Sequence, residues 1–274
     1  MRTVSRIAVA LVVALGPALF AETAGLAQES FHLSPNAKFI FGMEWGYAWL
    51  SGQFLIPAGG RPGSGTRVDV PTELGSTRGE TTAIFCQGEI AGRHLLGGTW
   101  FTASPTAERT VTNEFRFHNK TYESGSVVES KLDFHWFDMG YGIKLLDLET
   151  WWIAPKMGVH HIRHALTING ETAEAGLYSN TRALDGTYPV VGLEGRFFLP
   201  LNFDMSVQVE GVHLITRGFL SSVRLGGYWR VYPDVVVTMG AFNRQVHYLE
   251  DNQQLNNEWF YSIWGGSAGI SFTF

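Results

Sequence analysis

The run His160-His161-Ile162-Arg163-His164 holds the densest group of side chains that could bind a metal or transfer a proton. If the run is an extended strand, His160 and His161 point to opposite faces, and His160 and His164 share a face about 13 Å apart. A zinc–nitrogen bond is only about 2.1 Å long, so one strand cannot bring both rings to one ion. The run predicts histidines that line an interior or a rim, and we expect neither a metal site nor a cofactor.

Charged residues also recur at alternate positions of segments that are otherwise apolar or rich in glycine. Six are acidic and six are basic: Glu44, Glu89, Asp138, Glu194, Asp204 and Glu210, and Lys144, Lys156, Arg196, Arg224, Arg230 and Arg244. If they share a narrow interior they should pair, because an unpaired buried charge is costly; Arg196 would then pair with Glu194 or Glu210. A balanced set favours an interior filled by ion pairs, whereas a selective pore more often carries an excess of one sign.

The composition excludes several classes of protein. Of the 274 residues, 45% are hydrophobic, 16% are charged and 32 are glycine. This apolar content can bury a core, which argues against disorder. The net charge of −5 argues against binding to nucleic acid. The single cysteine, Cys86, cannot form an internal disulfide.

The N-terminus has the pattern of an export signal. Arg2 and Arg6 precede an apolar stretch, residues 7–20, that is too short to span a bilayer as a helix. Gly25 and Ala27 supply the small residues that a signal peptidase recognises. We therefore expect a cleaved signal peptide at residues 1–27 and a single barrel domain at residues 28–274.

Alternation with period two runs through the rest of the chain and predicts β-strands. In the first segment Phe41, Met43 and Trp45 alternate with Gly42 and Glu44. Ten such segments lie at about 37–50, 81–91, 94–104, 130–146, 150–165, 188–199, 203–216, 219–231, 235–248 and 258–274. Eight or twelve strands remain open, and no convincing amphipathic helix is found.

The connections between these segments alternate between long and tight. Those after the first, third, fifth and ninth segments have about 30, 25, 22 and 9 residues, whereas those after the second, fourth, sixth and eighth are short turns. This pattern is typical of an antiparallel up-and-down transmembrane β-barrel of an outer membrane, with loops outside the cell and turns in the periplasm. We therefore expect an all-β fold of this kind, with about ten strands.

The polar face of these strands decides which side points inward. It carries many glycines, where a soluble surface would carry Lys and Glu. Glycine fits the crowded interior of a small barrel, so the apolar face should contact lipid. The glycines are Gly42, Gly46, Gly140, Gly142, Gly158, Gly192, Gly226 and Gly240.

The C-terminus resembles the assembly signal of bacterial outer-membrane proteins. It places Ser267 and Gly269 before aromatic residues at the antepenultimate and final positions, Phe272 and Phe274. The resemblance implies that the barrel assembly machinery recognises the last strand. It also implies a location in the bacterial outer membrane, with its lipid and lipopolysaccharide as partners, and we expect a monomer.

Two further stretches resemble signatures of a group of small proteobacterial outer-membrane barrels. The first is Gly65-Thr66-Arg67-Val68-Asp69-Val70 followed by Leu74-Gly75, and the second is Tyr122-Glu123-Ser124-Gly125-Ser126-Val127-Val128-Glu129-Ser130. Where the group usually has Asp-Leu, this chain has Asp69-Val70. The resemblance implies the barrel fold and carries no assigned activity.

These patterns favour a barrel with a filled polar lumen and a structural or surface-interaction role. A general porin needs about 16–18 strands, more than this chain supplies. A narrow channel for a small solute is the alternative.

An enzyme at the barrel rim is less favoured. Omptin proteases are ten-stranded barrels that use Asp and His at the extracellular rim. The residues of this chain that could do so are His118, His164, Asp185 and Asp251. No local motif of those proteases surrounds them. Lipid A deacylases use a lipid-facing Ser and His, but no serine stands two residues from His213. We therefore predict that the chain is not an enzyme and assign no catalytic residue.

Overall fold

The computed structural model describes residues 38–55, 66–75, 78–117, 120–172, 176–215, 217–252 and 255–274. The predicted signal peptide, residues 1–27, lies outside this part of the chain. The described residues form fifteen strands: β1 (Lys38–Leu55), β2 (Arg67–Asp69), β3 (Arg78–Ile90), β4 (His94–Ala103), β5 (Thr106–Thr110), β6 (Phe115–Phe117), β7 (Lys120–Tyr122), β8 (Val127–Ile143), β9 (Leu146–Asp147), β10 (Trp151–Thr172), β11 (Gly176–Leu199), β12 (Phe203–His213), β13 (Gly218–Tyr232), β14 (Val235–Asn252) and β15 (Leu255–Thr273).

Ten long strands close into an antiparallel barrel, which confirms the predicted fold. The closing strand is β1, which pairs with β15 on one side and β3 on the other. Glu44, for example, faces Gly269 of β15 and Ala83 of β3. The remaining barrel strands follow in the order β4, β8, β10, β11, β12, β13 and β14. The first and last strands meet at the seam, where Phe39 and Phe274 exchange backbone hydrogen bonds of 3.1 and 2.8 Å.

The apolar face of the strands points outward, as the alternation predicts. Trp45 and Met139 lie on the outer wall and are 55% and 58% exposed, whereas Glu44 lies inside and is 2% exposed. The glycines of the inner face allow neighbouring strands to approach closely. A Cβ atom on Gly46 would collide with the carbonyl oxygen of Gly266 on β15.

The largest departure from the predicted strands is at the β10–β11 hairpin. The sequence pattern places 22 residues between these strands, ending β10 near residue 165 and starting β11 near 188. In the structure β10 continues to Thr172 and β11 begins at Gly176, with an unbroken ladder between them. The alternation continues in this region, but the two faces of the strands exchange polarity. The rule that the apolar face points outward therefore places the ends of both strands too early.

The exchange of polarity is clearest on β8. Near the turn to β9, Met139 lies outside and Asp138 inside the barrel. Toward the other end of the strand, Lys131 and Asp133 lie outside as an exposed ion pair, while Leu132 and Phe134 between them are buried inside. The half of the barrel nearer Lys38 and Phe274, called here the terminal end, thus has a membrane-type wall. The opposite half, the loop end, has the wall of a soluble protein.

Short segments fold into the loop end. Strand β2 pairs with β1, a five-residue helical turn follows at Val70–Leu74, and β6 pairs with β7 to form a small hairpin. Both stretches that resemble family signatures contribute to this region. Gly75 adopts φ 90°, a left-handed conformation that favours glycine, where the helical turn ends. No described helix is long and apolar enough to cross a membrane.

Candidate functional site: the barrel interior

Lys156 of β10 lies at the centre of the charged half of the interior. Its Nζ lies 3.0 Å from Glu194 of β11 and 3.2 Å from Glu210 of β12, and all three side chains are at most 10% exposed. The Nε2 atom of His160 lies 2.9 Å from the second carboxylate oxygen of Glu210. Lys156 and His160 of β10 thus satisfy two buried carboxylates, one from β11 and one from β12.

Two further pairs cross the interior beside this centre. Arg224 of β13 lies 2.5 Å from Glu44 of β1, which also accepts a 2.8 Å hydrogen bond from Ser267. Arg244 of β14 lies 3.9 Å from Asp138 of β8. The first contact spans the two intervening strands β14 and β15, and the second joins opposite sides of the ten-stranded wall.

At the terminal end, Lys144 lies 2.9 Å from Glu89, and Arg196 lies 3.0 Å from Asp204. The predicted pairing of Arg196 with Glu194 or Glu210 is wrong, because Lys156 takes both carboxylates. Arg230 is exposed beside a cavity of about 130 Å³ at this end and forms no ion pair with a described residue. All six predicted acids are therefore paired, as are five of the six predicted bases.

Arg244 marks the boundary between the charged half and an apolar layer above it. Its guanidinium lies 4.0 Å from the ring centre of Phe101 and 5.2 Å from that of Trp136. A cation over an aromatic face is stabilised by the ring quadrupole. The stacked rings thus stabilise a buried charge whose only described carboxylate partner is distant.

The apolar layer fills the loop-end half of the interior and was not predicted. Its members are at most 3% exposed: Phe54, Phe101, Phe134, Trp136, Ile162, Leu166, Trp259 and Tyr261 from the wall, and Val70, Leu74, Phe115, Phe117 and Tyr122 from the inserted segments. Tyr122 donates a 3.2 Å hydrogen bond to the carbonyl of Ile168, and Asn180 donates one of 3.1 Å to that of Phe117. The prediction of a polar lumen therefore describes only one half. The apolar layer of the other half has one signal in the sequence, which is the exchange of polarity between the two faces along β8 and β10.

Asp69 fixes the inserted helical turn. Its carboxylate accepts hydrogen bonds of 2.9 Å from the Thr72 amide and 2.6 Å from the Thr72 hydroxyl, and Glu73 accepts one from the Asp69 amide. Burial alone would raise the pKa of Asp69, but the hydrogen bonds from Thr72 and Gln53 outweigh it and hold the pKa below its ordinary value of 3.8. The residues that carry the first family resemblance thus act as a helix cap within the inserted segments, which are β2, the helical turn and the β6–β7 hairpin and are called here the plug.

Of the four rim residues that a hydrolase would need, the two whose side chains the structure describes do not come together. His164 is fully buried inside and shares a 2.5 Å hydrogen bond with Tyr261, whereas Asp185 lies on the outer wall, 3.6 Å from His161. His118 and the side chain of Asp251 lie outside the described part. Among the described residues, no group of three or more His, Cys, Asp or Glu could hold a metal ion.

Comparison with known proteins gives a fold and no family. No family model and no curated protein match the chain. Among solved structures, the outer membrane protease OmpT from Escherichia coli is similar with a TM-score of 0.58 and 13% identity, over 90% of this chain and 99% of OmpT. The translocator domain of autotransporter NalP from Neisseria meningitidis gives 0.42 and 10% identity, over 95% and 96% of the two chains. Ail, the attachment invasion locus protein of Yersinia pestis, gives 0.36 and 11%, over 86% and 99%. The likeness to OmpT shows that this chain has the fold of bacterial outer-membrane β-barrels.

Proposed function

We propose that the protein is a closed, non-conducting barrel of the bacterial outer membrane that presents its loop end for contacts outside the cell. The observation that carries this proposal is the apolar layer, in which Phe115, Phe117 and Tyr122 are at most 1% exposed inside the barrel. A continuous path for ions needs free polar groups along its length, whereas this layer is mostly apolar and polar groups such as those of Tyr122 and Asn180 are hydrogen-bonded within it. The ion pairs of the terminal half close the rest of the interior.

The outer wall supports the membrane location. Exposed aromatic and aliphatic side chains surround the terminal half, as lipid requires, while charged ones surround the loop end. Lipid and lipopolysaccharide then surround the barrel, and the barrel assembly machinery inserts the chain into the membrane. One chain is sufficient to close the barrel, so a monomer is the expected state. A non-enzymatic role fits the separation of His164 from Asp185 by the barrel wall.

Planar-bilayer recordings on the purified, heat-modifiable barrel test the proposal, with a general porin as the reference. We expect no stable current, or small flickering events far below those of the porin. Large, steady currents would contradict closure and favour the narrow channel.

A further inference from the structure

The barrel wall has a notch on one side of its loop end. Strand β11 pairs with β10 from Gly176 to Phe197, but with β12 only from Val191 to Leu199. The reason is that β12 ends at His213 and β13 begins at Gly218, so both strands stop at the turn between them, far below the upper ends of β10 and β11 at Thr172 and Gly176. Residues 177–189, called here the β11 edge, therefore have a neighbouring strand on one side only within the described part of the chain.

The register shows which backbone groups face the notch. Phe198 donates its amide to Thr150, on the β10 side, at 2.8 Å. In an antiparallel ladder, residues with both groups toward one neighbour alternate with residues that face the other. Because the β10–β11 register is unbroken, the odd-numbered residues face the notch. These are Leu177, Ser179, Thr181, Ala183, Asp185, Thr187 and Pro189.

This edge carries little protection against pairing. Natural edge strands are usually short, or carry lysines, prolines or bulges that block another strand. The only proline of β11, Pro189, lies at the bottom of the notch. It has no backbone N–H, so the edge lacks one donor at that position. The tip has no charged residue over residues 176–181, and Leu177 is 86% exposed. Six amides above Pro189 thus face no strand in the described part of the chain, at Leu177, Ser179, Thr181, Ala183, Asp185 and Thr187.

The two sides of the notch differ in polarity. Toward the interior lie Leu184, Tyr188 and Tyr248, which pack on the apolar layer; the two tyrosine rings are 6.0 Å apart. Toward the outside lie Thr181 and Asp185, which are exposed. A strand added here would place alternate side chains against an apolar surface and against water.

We propose that the β11 edge binds an extended segment of another polypeptide by strand addition, with apolar and polar side chains alternating along that segment. Unpaired amides and carbonyls in a row are satisfied most fully by another extended backbone. This inference rests on the proposed role in surface contact and names the class of partner.

A second copy in the same membrane does not fit the edge. Its own β11 would continue downward at the same height, into the space that β12 already occupies beside Val191–Leu199. The partner segment must instead end above the β12–β13 turn. A short stretch of an unrelated chain meets this condition.

Residue-resolved amide exchange on the full barrel in detergent micelles tests the proposal, with a synthetic peptide that alternates valine and threonine as the probe. Without peptide, the amides of Ser179, Thr181 and Ala183 should exchange fast, while those of Asn180 and Arg182, which face β10, exchange slowly. With peptide, the three edge amides should slow by about tenfold or more. A peptide N-methylated at every residue, which lacks donors on both edges, should give no slowing.

A variant and its control locate the binding. Ala183→Pro removes an edge donor but no bond to β10, so it should weaken peptide binding about tenfold, as expected for about 1.4 kcal/mol. Ala183→Ser keeps the amide and should bind as the unmodified protein does. Protection by both peptides alike, no protection by either, or self-association that protects the edge without peptide would overturn the proposal. Bilayer recordings do not depend on these results. An outcome that contradicts the proposed closed barrel can therefore be distinguished from one that contradicts peptide binding at the β11 edge.

Discussion

At the scale of single residues, the interior is stabilised by a few side chains that each satisfy more than one partner. Lys156 is the clearest case, because Glu194 and Glu210 both depend on it. Lys156→Ala leaves a buried carboxylate without its cation, which costs about 3–5 kcal/mol. We expect a clear loss of stability in urea titrations of the barrel.

Arg230→Ala is the matched control for this loss. Arg230 lies on the same inner face but is exposed and has no described ion pair, so the change should stay within about 0.5 kcal/mol. Equal losses in the two variants would mean that the buried ion pairs contribute little.

Asp69 gives the plug a dependence on pH. A carboxyl group whose folded pKa is depressed stabilises the fold fully above its unfolded pKa, here near 3.8, and loses this effect as the pH falls through the folded value. The Thr72 amide should therefore exchange slowly above pH 3.8 and open below it. Asp69→Ala should expose this amide at every pH and cost about 1 kcal/mol. Asp69→Asn keeps an acceptor without a titrating group, so its protection should not change with acid.

At the scale of elements, β8 shows where the membrane ends. Met139 and His135 both point outward from this strand, but only Met139 lies in the apolar band. Met139→Arg should cost up to about 2–4 kcal/mol in lipid vesicles, as a cation does on a lipid-facing wall. His135→Arg, on the same face nearer the loop end, should cost much less. The reverse order would place the bilayer around the loop end.

The last strand should control assembly as well as closure. Phe274 is 61% exposed and forms backbone hydrogen bonds with Phe39 at the seam. It is also the last residue of the motif that resembles an assembly signal. Phe274→Ala should lower the yield of heat-modifiable barrel in the outer membrane. Phe197→Ala removes a similarly exposed ring from β11 at the same end and should leave the yield nearly unchanged. Unchanged yield in both variants would remove the assembly argument.

At the scale of the whole molecule, the barrel wall and its plug are separate structures. Thr110 and Val127 face each other across the β5–β8 ladder, so a short glycine turn can replace residues 111–126, which contain the β6–β7 hairpin. All ten barrel strands remain in this variant, but Phe115, Phe117 and Tyr122 leave the apolar layer. We expect a heat-modifiable barrel with a lower melting temperature and new small currents. A variant that stays closed would show that the ion pairs alone block the interior.

The sequence by itself determined a count of about ten strands, the outward direction of the apolar face in the terminal half, and twelve inward charges, of which eleven are paired. Period-two alternation is a local property, and a residue such as Glu44 or Lys156 among glycines and outward-facing aromatics has only one face to occupy. The choice of partner is not local, because Arg196 could reach several carboxylates until the register set Ser206 across from it and Asp204 at the neighbouring diagonal position. The apolar layer also depended on tertiary structure, since inserted segments distant in sequence had to meet the wall. The notch at β11 arose in the same way, because a strand edge is free only when its neighbour is shorter, and strand lengths are fixed by pairing rather than by either strand alone.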